Sequence, residues 1–175
     1  MNRIGILGGS GLYALPGLTD TRWVAVDTPW GAPSDEVFLG TLGGVQLAFL
    51  PRHGRGHKVS PSEINYRANI AAFKTLGVTD VLAISAVGSL RETLAPGTFV
   101  LADQFIDRTT QRAGSFFGSG CVAHVAMAHP TCTRLAGHAQ RALQAAGVPH
   151  AVGGSYVAIE GPQFSTLAES NLYRQ

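Results

Sequence analysis

An α/β fold is predicted for this chain of 175 residues by three features of its sequence. Apolar runs of strand length alternate with segments of helical pattern, and glycine-rich turns separate them. No internal repeat or low-complexity linker interrupts the series, so a single domain is expected over residues 1–175. A hydrophobic content of 45% with 14% charged residues suits a sizeable buried core and excludes a disordered chain.

Taken in order, Arg3 to Leu7 reads as a short buried strand. It enters Gly8-Gly9-Ser10-Gly11, a loop whose glycines allow backbone to approach a ligand closely. The stretch that follows is mostly strand. Glu36 to Leu42 and Val45 to Leu50 flank Gly43-Gly44, a two-residue turn suited to a hairpin. The polar loop from Pro51 to His57 comes next. Ser60-Pro61-Ser62-Glu63 then predicts a helix start, with Ser60 as N-cap, Pro61 at the first helical position and Glu63 closing a capping box; Gly77 is the matching stop. Asp80 to Ala86 is almost continuously apolar, as expected of a central strand covered on both faces, and opens into Val87-Gly88-Ser89. A helix from Thr133 to Ala146, ended by Gly147 and Pro149, precedes a strand near Tyr156 to Ile159. Thr166 to Glu169 starts a third helix with a capping box, and no Gly or Pro stop follows it before Gln175. The sequence therefore reads as ending inside an element.

Several function classes are disfavoured by composition. The net charge of +2 is small and Lys and Arg are dispersed, so no single-sign stripe for nucleic acid forms. A small anionic ligand fits better. Met1 runs straight into Arg3-Ile4-Gly5, without the apolar region of a signal peptide, and no apolar run reaches the ~18 residues of a membrane span. Neither membrane nor nucleic acid is an expected partner. Cys121 and Cys132 make no disulfide framework, and a reducing cytoplasm is the expected location.

The chemistry rests on three separated segments, each after a predicted strand: Gly8 to Gly11, Arg52-His53 and Ser85 to Gly88. Together they suit a phosphate. Arg52 offers a planar fork of donors to a tetrahedral oxyanion, while His53 and the hydroxyls of Ser10 and Ser85 add orienting donors. Backbone N–H groups of the glycine loops can complete the shell. A lone Arg-His pair is usually solvated surface and a glycine loop usually a turn, so the argument lies in the combination. Gly9-x-Gly11-x-x-Ala14 formally matches the dinucleotide fingerprint of a nicotinamide-dependent oxidoreductase. Pro16-Gly17 argues against it, because they leave almost no helical turn to carry a pyrophosphate. His53 and His57 have metal-like spacing, but four residues bring ligands together only on a helix face, which Gly54 and Gly56 disfavour. No metal is assigned, and His129, His138 and His150 read as surface or capping residues.

Six stretches carry a more specific signal. They are IGILGGSGLY, TPWGAPSDEVFLG, PRHGRGH with SPSEINYRANI behind it, SAVGSLRE, PGTFVLADQFIDRT and IEGPQFSTLAES. On these, in this order and over nearly the whole chain, the sequence resembles the methylthioadenosine phosphorylase family. The resemblance implies a mixed central β-sheet flanked by helices, a homotrimer, and no metal or organic cofactor, with inorganic phosphate as co-substrate. It implies a reaction in which phosphate attacks the ribose anomeric carbon of a purine nucleoside and expels adenine, giving 5-methylthioribose 1-phosphate.

By the same resemblance Ser10, Arg52, His53, Ser85 and the Ala86 backbone occupy phosphate-contacting positions. Some members carry Thr where this chain has Ser10 and Ser85, and the hydroxyl is retained. Phe164 matches the position against the purine or sugar, Ser165 one that influences which base fits, and His124 one contributed across the trimer interface. From the residues alone, Phe164 and His124 would more often be ordinary packing residues. Cleavage of the nucleoside C–N bond places positive charge on the ribose and negative charge on the departing base. The bound phosphate can stabilise the first. The second needs an acid at the purine, which the resemblance places in an Asp beyond residue 175, so no catalytic acid is assigned here. The base preference, adenine against hypoxanthine or guanine, stays open. So does whether the 175-residue chain is itself active or is a non-catalytic fragment.

Overall fold

The computed structural model describes residues 3–9 and 11–175. The chain divides into two compact units, Met1–Ala86 with Ala113–Phe116, and Val87–Arg112 with Phe117–Gln175. No helix among the described residues is long and apolar enough to cross a membrane.

The first unit holds five strands: β1 Arg3–Gly8, β2 Thr19–Val24, β3 Val37–Leu42, β4 Val45–Pro51 and β5 Val78–Ala83. They form one sheet in the order β2-β3-β4-β1-β5. β1 is parallel to both of its neighbours, whereas β2 with β3 and β3 with β4 are antiparallel, so the sheet is mixed as expected. The hairpin between β3 and β4 closes at Leu42 opposite Val45. Gly43 and Gly44 both take positive φ, 55° and 81°, the requirement of a type I′ turn whose twist matches the strands.

Two expectations are corrected here. β5 lies at an edge of the described sheet, paired among the described residues with β1 alone, and its residues alternate between half-buried and exposed, where a central strand covered on both faces was expected. It also ends at Ala83, so Ser85 and Ala86 follow the strand instead of closing it. The helix forecast from Ser60 begins instead at Tyr66, as α1 Tyr66–Thr75. Glu63 does reach back, accepting from Ser60 N at 3.1 Å and Ser60 Oγ at 2.6 Å. That hydroxyl is thereby spent on the carboxylate, and Ser60 to Glu63 forms only a turn. Asn65 is the real cap: its Oδ1 accepts from Ala68 N at 3.1 Å while its Nδ2 donates to Trp30 O at 2.6 Å. A tertiary anchor thus selects the cap. The stop at Gly77 holds, with φ of 73° just past the Leu76 C-cap.

The core of this unit joins Val37, Leu39, Ala48 and Leu50 of the sheet to Ala72 and Phe73 of α1, with Val26 beside them. α1 can come this close because residue 5 has no side chain. A Cβ on Gly5 would lie 2.9 Å from Val78 Cγ1 and 3.3 Å from the Phe73 ring. Buried among these apolar groups is Asn69, 1% exposed. Its Oδ1 accepts from Ser34 N at 2.8 Å and its Nδ2 donates to Ser34 Oγ at 3.0 Å, so both halves of the amide are used. Asn65 and Asn69, one helical turn apart, therefore tie the loop of residues 30–34 to the helix.

The second unit contains β6 Phe99–Leu101 parallel to β8 His150–Val152, and β7 Gln104–Asp107 parallel to β9 Ser155–Ala158. α2 Thr133–Ala145 lies against β6 and β8, as a crossover between parallel strands requires. β9 matches the strand read near Tyr156, while β6, β7 and β8 are three to four residues long, too short to leave a period in the sequence. α3 Leu167–Tyr173 has the predicted capping box: Thr166 Oγ1 accepts from Glu169 N at 3.2 Å, and Thr166 N donates to Glu169 Oε2 at 2.7 Å.

Candidate functional site

Three adjacent parallel strands end together. Gly8 of β1 pairs with Pro51 of β4, and Leu7 pairs with Ala83 of β5. Two further hydrogen bonds extend the ladder past the strands, Arg52 N to Gly8 O at 2.9 Å and Ile84 N to Leu7 O at 2.8 Å. The glycine loop, Arg52-His53 and Ser85-Ala86 are therefore released side by side from the carboxyl ends of β1, β4 and β5, the place where open α/β sheets bind ligands.

The side chains meet there. Arg52 Nη1 donates to Ser85 Oγ at 2.7 Å across 33 positions of sequence, and Arg52 Nε donates to His53 Nε2 at 3.4 Å. His53 Nδ1 lies 2.8 Å from Val59 O, a pure acceptor, so Nδ1 carries the proton and the Nε2 edge faces Arg52. Arg52 and His53 are half-buried, and Ser85 and Ala86 are exposed. Ser10 lies outside the described residues. On either side of it, a Cβ built on Gly9 or on Gly11 meets nothing within 4 Å, and Gly11 has φ of 102°, so this loop leaves open space beside its backbone. A guanidinium fork and a hydroxyl converging beside open glycine backbone can hold a tetrahedral oxyanion, with the His53 Nε2 edge accepting from Arg52 Nε and so orienting the fork.

The loop after β4 is held by a group that the motif reading did not single out. Asp35 Oδ2 accepts from Arg55 N at 2.6 Å and from Arg55 Nε at 3.0 Å, and Asp35 Oδ1 accepts from Arg55 Nη2 at 2.8 Å. Glu36 Oε2 takes Arg55 Nη2 at 2.9 Å, and the guanidinium lies 4.1 Å from the Trp23 ring centroid. Burial by itself would raise the Asp35 carboxyl, but the hydrogen bonds from Arg55 and from the Glu36 backbone, with the Arg55 charge, outweigh it and hold it below the usual value. Asp35 and Arg55 are 20 residues apart on different segments, and no local pattern announces such a pair.

His53 and His57 do meet, against the expectation drawn from their spacing. Their rings stack with centroids 4.3 Å apart and planes 25° apart, because the turn through Gly54 and Gly56 folds the loop back on itself. Stacking presents ring faces to each other and leaves the nitrogens on the edges. Among the described residues no group of three or more His, Cys, Asp or Glu is placed to hold a metal ion. The dinucleotide alternative fails on local structure: residues 11–13 form a turn closed by Ala14 N to Gly11 O at 3.2 Å, and the next regular element is β2, where the fingerprint needs a helix.

Phe164, Ser165 and His124 belong to the second unit, and the first assembles Arg52, His53 and Ser85 without them. Phe164 is 92% exposed, a large aromatic with almost no packing inside its own unit. Ser165 is half-buried and His124 exposed. The segment leading to Phe164 is well held. Glu160 Oε2 accepts from Thr110 N at 2.6 Å and Gln111 N at 3.1 Å, and Arg112 Nη2 donates to Ile159 O at 3.1 Å and Glu160 O at 3.2 Å.

Comparison with known proteins points the same way. The family model described as the phosphorylase superfamily matches residues 3–175. The chain is 61% identical over 171 residues to an S-methyl-5′-thioadenosine phosphorylase of Cereibacter sphaeroides, covering 98% of this chain and 59% of that protein. It is 59% identical over 172 residues to one of Rhodospirillum rubrum, covering 98% and 58%. Among solved structures, a methylthioadenosine phosphorylase from an antarctic soil metagenomic library superposes with a TM-score of 0.95 at 53% identity, over 99% of this chain and 61% of that one. A methylthioadenosine phosphorylase from Schistosoma mansoni in complex with tubercidin superposes with a TM-score of 0.91 at 39% identity, over 99% and 68%. The chain thus spans about 59% of the length of the first of these relatives.

Proposed function

Because this chain belongs to the phosphorylase superfamily, we propose that the whole protein phosphorolyses 5′-methylthioadenosine to adenine and 5-methylthioribose 1-phosphate. The observation that carries the reading is the convergence of Arg52, His53 and Ser85 at the ends of three parallel strands, joined by the 2.7 Å bond from Arg52 to Ser85. That cluster has the charge and the donor geometry for inorganic phosphate. Ser10 and the Ala86 backbone complete the proposed phosphate site.

In the proposed reaction a phosphate oxygen forms a bond to the anomeric carbon as the bond from that carbon to the purine nitrogen breaks. The base departs with the electron pair and takes up a proton, equivalent to the one that hydrogen phosphate gives up on becoming the sugar phosphate ester. Nothing is oxidised or reduced, so the atoms balance with phosphate as the only co-substrate and no metal or organic cofactor is invoked. Arg52 and the hydroxyls hold phosphate below the sugar, where its negative charge offsets the positive charge developing on the ribose. Phe164 lies against the purine or sugar and Ser165 tunes the base pocket in this reading, supported by the exposure of Phe164 beside a firmly held Glu160. His124 acts at the sugar of a neighbouring subunit in a homotrimer, and an Asp beyond residue 175 stabilises the leaving purine. The whole protein is placed in the cytoplasm, in purine and methionine salvage.

The test is to incubate the whole protein with methylthioadenosine, with and without phosphate, alongside inosine and guanosine. Cleavage that depends on phosphate and yields 5-methylthioribose 1-phosphate is expected. Cleavage that proceeds equally without phosphate would overturn the proposed reaction, and preference for inosine or guanosine would move the substrate to another purine nucleoside.

A further inference from the structure

We propose that Asp35 is a positioning residue for phosphate capture, acting through Arg55 to fix the loop that presents Arg52 and His53. The inference rests on the phosphate-site reading above and deepens it.

The loop from Arg52 to Val59 leaves the sheet immediately after β4 and takes a backbone course that strand pairing cannot hold. Gly54, His57 and Gly56 all have positive φ, at 70°, 55° and 79°. A non-glycine residue in this region is disfavoured, so the conformation at His57 must be imposed by its surroundings. Part of the restraint is internal: Lys58 N and Val59 N both donate to His53 O at 3.0 Å. The external restraint is Asp35. One carboxylate takes both the backbone N–H of Arg55 and its guanidinium, so it fixes main chain and side chain at once, three positions after Arg52. The loop is also pressed against the same segment, since a Cβ on Gly54 would come within 3.1 Å of Ser34 O.

Asp35 is itself anchored. Its neighbour Ser34 is held at N and Oγ by the buried amide of Asn69. A continuous path therefore runs from the core of α1 through Ser34 and Asp35 to Arg55 and the phosphate-binding loop. Charge supports the division of labour. Arg55 is matched by Asp35 and Glu36 and lies over Trp23, whereas among the described residues Arg52 bonds to Ser85 and His53 and forms no ion pair with a carboxylate. The carboxylates hold one arginine of the loop away from the anion and leave the other to receive it. The Arg55–Glu36 pair, exposed on both sides, contributes little to stability in general, so the carboxylate that holds the loop is the more buried Asp35.

The experiment measures the phosphate KM of the whole protein carrying Asp35→Asn, Asp35→Ala or Asp35→Glu, with Arg52→Lys as a control. Misplacing the loop should raise the phosphate KM on the order of tenfold for Asp35→Asn, more for Asp35→Ala, with partial recovery for Asp35→Glu, while the nucleoside KM moves by less than about threefold. KM is a property of the molecules that fold, so partial unfolding of a variant lowers the rate without imitating this shift. If Arg52→Lys raises the phosphate KM and all three Asp35 variants leave it at the wild-type value, the positioning role is wrong and the phosphate site stands. If Arg52→Lys also leaves it unchanged, the site reading itself is wrong.

Discussion

Replacing Arg52 by lysine keeps the positive charge and removes the fork. In the structure Arg52 directs Nη1 to Ser85 and Nε to His53, and a guanidinium has further N–H groups in the same plane for phosphate oxygens. A lysine ammonium is a point charge on a flexible stem and cannot keep both partners while serving the anion. The loss of one charge-assisted hydrogen bond, about 1.5–3 kcal/mol, is the right scale for a half-buried site open to water. That corresponds to a rise in phosphate KM of roughly tenfold to 150-fold. The nucleoside KM should change much less, because the proposed role of Arg52 is at the phosphate. The assay is steady-state methylthioadenosine cleavage by the whole protein, with phosphate varied at saturating nucleoside and then nucleoside varied at saturating phosphate. A phosphate KM within about twofold of wild type, well under the energy of one such bond, would refute Arg52 as the phosphate ligand.

The other predictions follow from particular contacts. The Asp35 carboxyl is held below its ordinary value of 3.8, so its stabilising contribution is fully present above that value and disappears as pH falls through the lower, folded-state one. Urea unfolding of wild type and Asp35→Asn should therefore give curves separated at neutral pH that converge in acid; a separation that widens in acid would contradict the sign. Asn69→Ala leaves Ser34 N without its acceptor beside the core and should cost about 1–3 kcal/mol, read as a lower urea midpoint at an unchanged slope. Mixed oligomers of subunits disabled at Arg52 and subunits disabled at His124 should regain some activity if each site draws on two chains, and verified mixed trimers with no recovery would remove His124 from the site.

What could be read along the chain was decided by neighbours in sequence. The Gly43-Gly44 hairpin, the stop at Gly77 and the capping box from Thr166 to Glu169 each depend on φ values or hydrogen bonds within four residues, and all three are present. The convergence of Arg52, His53 and Ser85 was legible for a related reason: each stands just after an apolar strand, and strand ends are where α/β sheets place ligands. Their resemblance to a known family sharpened that reading into roles. Only the tertiary structure decided the rest. It put β1 between β4 and β5, so that residues 33 apart share a hydrogen bond, and it put β5 at an edge of the described sheet although its apolar run reads like a central strand. It moved the start of α1 from Ser60 to Asn65, because Trp30 O, 35 residues away, takes the other end of the cap's amide. It also paired Asp35 with Arg55 and folded His57 onto His53. Such contacts depend on where distant backbone is carried by the packing of the sheet and α1, and a polar pair joined through space leaves no periodic trace along the chain.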